Sequence, residues 1–206
     1  MPTLSDFSPT KARRSARLAN TALFGVADSI LIVAAGSYGF RSGLDETTLP
    51  TGFDPQAAAL FEAIVEASFL AATAGTAFDD AQTVAFRTAV FEACRGYVTL
   101  DTIDILTADL ANQLDEDGLD CRIESVASTI SPTEQQLDVL RIAILLAFAS
   151  SGMSDCTRDV IEKIGAALKL KDVEVASVLK EVATAIAEAS KEADTQTIDD
   201  ANEMAP

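Results

Sequence analysis

The chain has 206 residues, of which 49% are hydrophobic, and its 32 acidic against 15 basic residues give a formal net charge of −17. A surface this negative repels nucleic-acid phosphates and anionic membranes, and we expect neither as a partner. Cations and basic protein surfaces suit its charge. The sequence contains no histidine, which excludes Cys/His zinc sites, histidine general bases and the Glu-x-x-His di-iron motif.

The first predicted element is a mostly apolar run over residues 18–40 that follows Ser8 and Pro9, a pair typical of a helix start. Basic residues precede the run at Lys11, Arg13, Arg14 and Arg17. Asp28 lies within the run, where an acidic side chain costs about 2.5–3.5 kcal/mol to insert into a bilayer. The sequence therefore predicts a buried helix, with a membrane-associated module through residues 18–40 as an alternative.

The next three predicted helices have clear start signals. Asp54 and Pro55 begin the second helix, whose apolar residues fall on one helical stripe. Asp79, with Gln82 three residues later, forms a capping box for the third helix, and Thr99 caps the fourth.

Four further helices follow an acidic connection. The sixth starts after Ser131 and is apolar on most faces from Leu140 onward, so we expect it at the centre of the fold. A seventh begins at Ser154 or Asp155 and an eighth follows it. Because strand-like alternation is nowhere sustained, the sequence predicts an all-α protein of about eight short helices.

We expect three parts along the chain. Residues 1–53 form an N-terminal arm and apolar helix with a glycine-rich connection, and residues 54–190 form the helical domain. Residues 191–206 are polar and acidic, and we expect them to be a flexible tail.

Two stretches of the helical domain resemble each other. FLAATAGTAFDD (residues 69–80) and LAFASSGMSD (residues 146–155) each end an apolar helix in small residues, turn at a glycine and restart at an acidic cap. Downstream, LDTIDI (residues 100–105) resembles LKDVEV (residues 170–175). Self-similarity of this kind predicts two three-helix units separated by the fifth helix.

The second unit, LLAFASSGMSDCTRDVIEKIGAALKLKDVEVASVL, resembles the C-terminal half of the tellurite-resistance TerB-like domain family. That family has a helix ending in Ala-Asp-Gly, a capped acidic turn and a helix finishing in Leu-x-Leu, as Leu168-Lys169-Leu170 does here. The resemblance covers about residues 55–187. It implies a pseudo-symmetric helical bundle with a role linked to divalent cations, stress response or assembly scaffolding.

The resemblance also implies acidic metal-binding positions, which this chain does not keep. Ala74 and Ser151 precede the two glycines where the family has aspartate. At the family's later glutamate position this chain has Ala81 or Gln82 in the first copy and Thr157 or Arg158 in the second. Because these positions are replaced, an assembly role is the first prediction, and a divalent-cation-binding stress-response protein is the alternative.

The segment QLDEDGLDCRIE, which starts at Gln113, is close to the EF-hand calcium-loop pattern. Asp115, Asp117 and Glu124 fall at positions 3, 5 and 12, but Gln113 replaces the aspartate of position 1. Gly118 at position 6 is also typical of a residue that ends a helix with positive φ. We expect no cofactor and no metal. If Ca²⁺ or another divalent cation does bind, these three acids are its candidate ligands.

The three cysteines, Cys94, Cys121 and Cys156, are sparse and odd in number, which is typical of reduced thiols in a cytoplasmic protein. Without histidine as a base, we expect each thiol to be a small buried side chain rather than a nucleophile. The sequence also lacks a P-loop, a Gly-x-Gly-x-x-Gly motif and a Gly-x-Ser-x-Gly motif. These features together predict a protein that is not an enzyme.

The sequence therefore predicts a cytoplasmic interaction or assembly/scaffold protein. Its expected partner is another protein or a second copy of the chain, and neither nucleic acid nor a membrane is expected. Phe7, Phe24 and Phe40, in the N-terminal part, are the candidate interaction residues.

Overall fold

The computed structural model describes residues 30–41, 54–75, 78–130 and 133–203. Within these ranges the chain forms eight α-helices and no strand, which confirms the all-α prediction. The helices are α1 (Ile30–Arg41), α2 (Pro55–Ala72), α3 (Asp80–Ala93), α4 (Leu100–Asp117), α5 (Leu119–Thr129), α6 (Thr133–Ser151), α7 (Asp155–Ala167) and α8 (Asp172–Glu203).

Helices α2 and α6 form the centre of the bundle and share its most extensive contact. The prediction that the sixth helix is central is confirmed, because Val139, Leu140 and residues 142–147 are all buried. Helices α1 and α5 pack against α2. Helices α3 and α8 pack against α6, and α7 contacts both central helices. Helix α4 lies at the edge, where it contacts α3, α5 and part of α2.

The predicted start signals are confirmed at four helices. The Asp79 carboxylate accepts from the Gln82 N–H at 2.7 Å, and the Gln82 side chain accepts from the Asp79 N–H at 3.0 Å, which completes the capping box. Asp54 caps α2, Thr99 caps α4, and Ser154 rather than its neighbour caps α7. Each cap satisfies backbone donors that the first turn of a helix leaves without a partner.

Helices α3 and α7 end in the same way. A basic residue with positive φ follows each helix cap, Arg95 at 54° and Lys169 at 61°. The N–H of Gly96 then donates to the carbonyl of Phe91 at 3.1 Å, and the corresponding bond from Leu170 is 3.0 Å long. This is the hydrogen-bond pattern of the Schellman motif, and α3 and α7 are the second helices of the two predicted three-helix units.

Helix α1 belongs to the same core as the other helices. Leu31, Ala34 and Ala35 are buried, so the interpretation of this segment as a core helix is confirmed for the part that the structure describes. Gly39 lies so close to the Tyr97 carbonyl that a Cβ at this position would overlap the oxygen. Helix α1 therefore shares its core with the helices that follow residue 53.

The described part of the acidic tail, up to Glu203, continues α8 as helix. The segment KEADTQTIDDANE contains neither glycine nor proline, so no stop signal interrupts the helix before Pro206.

In the described part of the chain, α2 is the helix that is long and apolar enough to cross a membrane. Its 18-residue window is 67% buried inside the bundle, as the core helix of a globular protein would be. Of the apolar run over residues 18–40, the structure describes residues 30–40, which lie in α1.

Candidate functional site

The acidic segment QLDEDGLDCRIE is not a loop. Helix α4 runs to Asp117 and α5 begins at Leu119, so Gly118 alone separates the two helices. Gly118 has φ 78° and ψ 162°, a region of backbone conformation that is almost restricted to glycine. The prediction of an acidic connection between the fourth and fifth helices is therefore wrong, because α4 continues as helix through the acidic residues to Asp117.

The structure places the candidate metal ligands on two different helices. Asp115 and Asp117 lie in the last turn of α4, and Glu124 lies in α5. Among the described residues, no group of three or more cysteine, aspartate and glutamate side chains is placed to hold a metal ion.

Asp117 instead belongs to an ion-pair cluster around Arg122. The Nε of Arg122 donates to Glu66 Oε1 at 2.6 Å, and its Nη1 donates to Asp117 Oδ2 at 3.1 Å. The side chains of Glu66 and Arg122 are only 9% and 14% exposed, while that of Asp117 is 43% exposed. The hydrogen bond to Glu66 raises the pKa of Arg122 above its usual value. The cluster ties α2 to α5 and to the end of α4, which leaves less support for the divalent-cation alternative.

A cavity of about 690 Å³ opens between α3 and α4, and we call it the α3–α4 groove. One wall is a stripe along α4 with three- and four-residue spacing, formed by Asp104, Thr107, Ala108, Ala111, Leu114 and Asp115. The floor and the other wall come from the end of α2, the turn before α3 and α3 itself, with Phe69, Thr73, Phe78, Thr83 and Arg87. Small side chains on α4 leave the space that a larger residue would fill.

The floor of the groove is a cluster of three aromatic rings. Phe69 and Phe78 meet edge to face with their ring centroids 5.6 Å apart. Phe86 lies beneath them, 6.0 Å from Phe69 and 5.5 Å from Phe78, and is fully buried. Edge-to-face packing of this kind adds rigidity and stability beyond the apolar area that it buries. The groove thus has an apolar floor in which Phe78 is partly exposed, Phe69 is buried and Phe86 supports both rings from the core.

The charged residues that line the groove are Arg87, Asp104 and Asp115, which leaves one negative charge in excess. At one end Arg87 Nη1 donates to Asp104 Oδ2 at 3.0 Å, so this ion pair connects the two walls. At the other end Asp115 is exposed and makes no ion pair within the described part of the chain. Helix α4 carries no lysine or arginine, and its acidic residues are Asp101, Asp104, Asp109, Asp115, Glu116 and Asp117. The arrangement suits a ligand that is apolar in the middle and positive at its edges.

The residues predicted from the sequence do not include those of this groove. Of the predicted interaction residues, Phe7 and Phe24 lie outside the described residues, and Phe40 lies in α1 with a side chain that the structure does not describe. The available signal was in α4. Ala108 and Ala111 are small apolar residues that lie outside the stripe in which Leu106 and Leu110 are buried.

The cysteines divide into two classes. Cys94 is buried, as expected, but the prediction is wrong for Cys121 and Cys156, which are exposed. Burial raises the pKa of the Cys94 thiol from 9.0 to about 12. The two exposed cysteines lie in the first turns of α5 and α7, and Cys156 lies next to Gly75 at the end of α2.

The Cys94 thiol predicts a loss of stability in alkaline solution. Between pH 9 and about 12 the unfolded chain releases the thiol proton and the folded chain keeps it, so the free energy of unfolding falls as the pH rises. The slope is at most about 1.4 kcal/mol per pH unit. We expect urea unfolding curves measured at about pH 8 and about pH 10 to differ less in Cys94→Ala than in the parent chain. Cys121→Ala is the matched control and should keep the parent's pH dependence, and equal losses in all three chains would contradict the assignment.

The comparisons with known proteins do not assign this chain to a family. Searches against protein-family models, curated proteins and solved structures find no match to the chain. The TerB-like resemblance therefore stays a prediction, and functional inference for this chain rests on its own geometry.

Proposed function

We propose that this chain is a non-enzymatic interaction or assembly protein, of TerB-like helical type, that binds a protein partner in the α3–α4 groove. The observation that carries the proposal is the groove itself, an open cavity of about 690 Å³ with an aromatic floor. Exposed apolar concave surfaces of this kind on folded domains are typical binding sites.

The hydroxyl groups in the groove favour binding over catalysis. Each of its three threonines donates a hydrogen bond to a carbonyl of its own chain four residues earlier. The bonds run from Thr73 to Phe69 at 2.8 Å, from Thr83 to Asp79 at 2.9 Å and from Thr107 to Ile103 at 2.7 Å. A hydroxyl that donates to a backbone carbonyl has no base to remove its proton, so it is a poor nucleophile. These side chains line the groove with their hydroxyl groups already hydrogen-bonded.

Site-specific photo-crosslinking in the native host tests this proposal. A benzophenone amino acid at Ala108, which lines the groove, is expected to capture a defined protein. The matched control places the same amino acid at Val173, which is 70% exposed at the start of α8. Loss of capture when Ala111→Arg fills the groove would assign the captured protein to it. Failure to capture a protein at position 108, or the same captured proteins at both positions, would overturn the proposal.

A further inference from the structure

We propose that the partner segment bound in the α3–α4 groove is a basic amphipathic helix of about three turns. This inference rests on the proposed function and names the chemistry of its partner. It follows from three features of the groove, which are its length, the size of the side chains on its walls and its charge.

The length of the groove matches a short helix. Its α4 wall extends from Asp104 to Asp115, which at 1.5 Å per residue is about 16 Å, or about three helical turns. The α4 wall is the long one, and α3 lines the groove with only Thr83 and Arg87, so a bound helix would lie along α4. A helix laid into a groove between helices is a recurrent mode of peptide recognition, with apolar anchors every three or four residues.

The walls admit the close approach of a helical backbone. Ala108 and Ala111 are exposed on the facing side of α4, and beyond them only Leu114 is a large apolar side chain of that wall. Beneath them, Phe69 and Phe78 form the apolar floor on which the anchors of the partner helix would pack. An extended strand would gain no main-chain hydrogen bonds here, since the backbone groups of the helical walls are already paired.

The charge of the groove selects a positive partner. Asp115 at one end has no ion pair within the described residues, and Glu116 follows it on the same helix, which has no lysine or arginine. The chain as a whole has a net charge of −17. Lysine or arginine side chains at the edges of a bound helix would meet these carboxylates, which raises the association rate and sets the orientation.

Peptide titration tests the inference with the full chain. Three amidated peptides of about 14 residues carry the same leucine and alanine face and differ only in the opposite face, which is lysine, serine or glutamate. A fourth peptide has the lysine composition in a scrambled order without an apolar face. We expect the lysine peptide to bind at least about tenfold more tightly than the glutamate peptide and the scrambled peptide, with weaker binding at high salt.

Variants of α4 locate the binding. Ala111→Arg, which fills the groove, and Asp115→Lys, which reverses the charge of its open end, should each weaken the lysine peptide about tenfold or more. Asp109→Lys is the matched control, because this exposed residue of α4 does not line the groove. Circular dichroism of each variant checks that the bundle remains folded.

Several results would overturn the inference. They are no binding of the lysine peptide, equal binding of the scrambled peptide, and binding that Ala111→Arg leaves unchanged. Binding that appears only after charge reversal of the basic residues at Arg13, Arg14 and Arg17 would mean that the chain's own basic segment fills the groove, which overturns an external partner. A protein captured through position 108 together with failure of the lysine peptide would retain the proposed function and reject the basic helix.

Discussion

Arg122→Met is expected to lower the free energy of unfolding by about 3 kcal/mol, because it leaves the Glu66 carboxylate without a partner in the core. Glu66 is 7% exposed, and the Nε of Arg122 is 2.6 Å from its Oε1. Removing one member of a buried pair costs more than the pair itself contributes, since the remaining charge stays desolvated. Chemical denaturation followed by far-UV circular dichroism measures the loss.

A double-mutant cycle separates the ion pair from simple packing. Glu66→Leu combined with Arg122→Met removes both charges, and we expect it to restore stability to within about 1 kcal/mol of the parent. Asp117→Asn is the control for the exposed arm of the cluster and should cost less than about 1 kcal/mol. Additive losses at Glu66 and Arg122, without coupling, would contradict the role given to this pair.

Phe61→Ala is expected to lower the free energy of unfolding by about 3–5 kcal/mol, a large part of the stability of a typical domain. The Phe61 ring is fully buried in α2 and lies 4.7 Å from the ring of Tyr38 in α1, measured between centroids. The substitution removes apolar contacts and leaves a cavity between these two helices. Urea denaturation measures the change, and hydrogen exchange of α1 should increase before global unfolding.

Phe61→Leu is the matched control, because it keeps most of the apolar volume and should cost about 1–2 kcal/mol. If α1 were only a loosely attached arm, Phe61→Ala would leave the exchange of its amides unchanged relative to the parent. That result would return α1 to the N-terminal arm predicted from the sequence.

The signals that sequence analysis interpreted correctly are local. Capping at Asp54, Asp79 and Thr99 depends on residues within three or four positions, so the sequence alone contains the necessary information. The central position of α6 followed from the absence of a polar face after Leu140. These features predict the helices and the identity of the core without knowledge of how the helices cross.

The features that sequence analysis missed depend on contacts between helices. Glu66 and Arg122 are 56 positions apart, and their pairing requires the rotation of α2 relative to α5. The groove exists because α4 lies at the edge of the bundle, and no local pattern predicts a space that packing leaves unfilled. Exposure of Cys121 depends on which face of α5 is turned toward α2, which composition does not specify.

The single-residue break at Gly118 concentrates the change of direction between α4 and α5 in one pair of backbone torsions. Apart from the chain neighbours, no atom lies within 4 Å of the position that a Cβ would take at Gly118, so the positive φ and not a lack of space requires glycine there. The buried side chains of α4 and two partly exposed ion pairs, Arg122 with Asp117 and Arg87 with Asp104, hold this helix against the bundle. Because salt screens exposed pairs, rising ionic strength weakens the two ion pairs and leaves the apolar contacts in place. Lysines of a partner that compete for Asp104 would weaken the second pair in the same way, so a positive partner would act on the ion pair that joins the two walls of the groove.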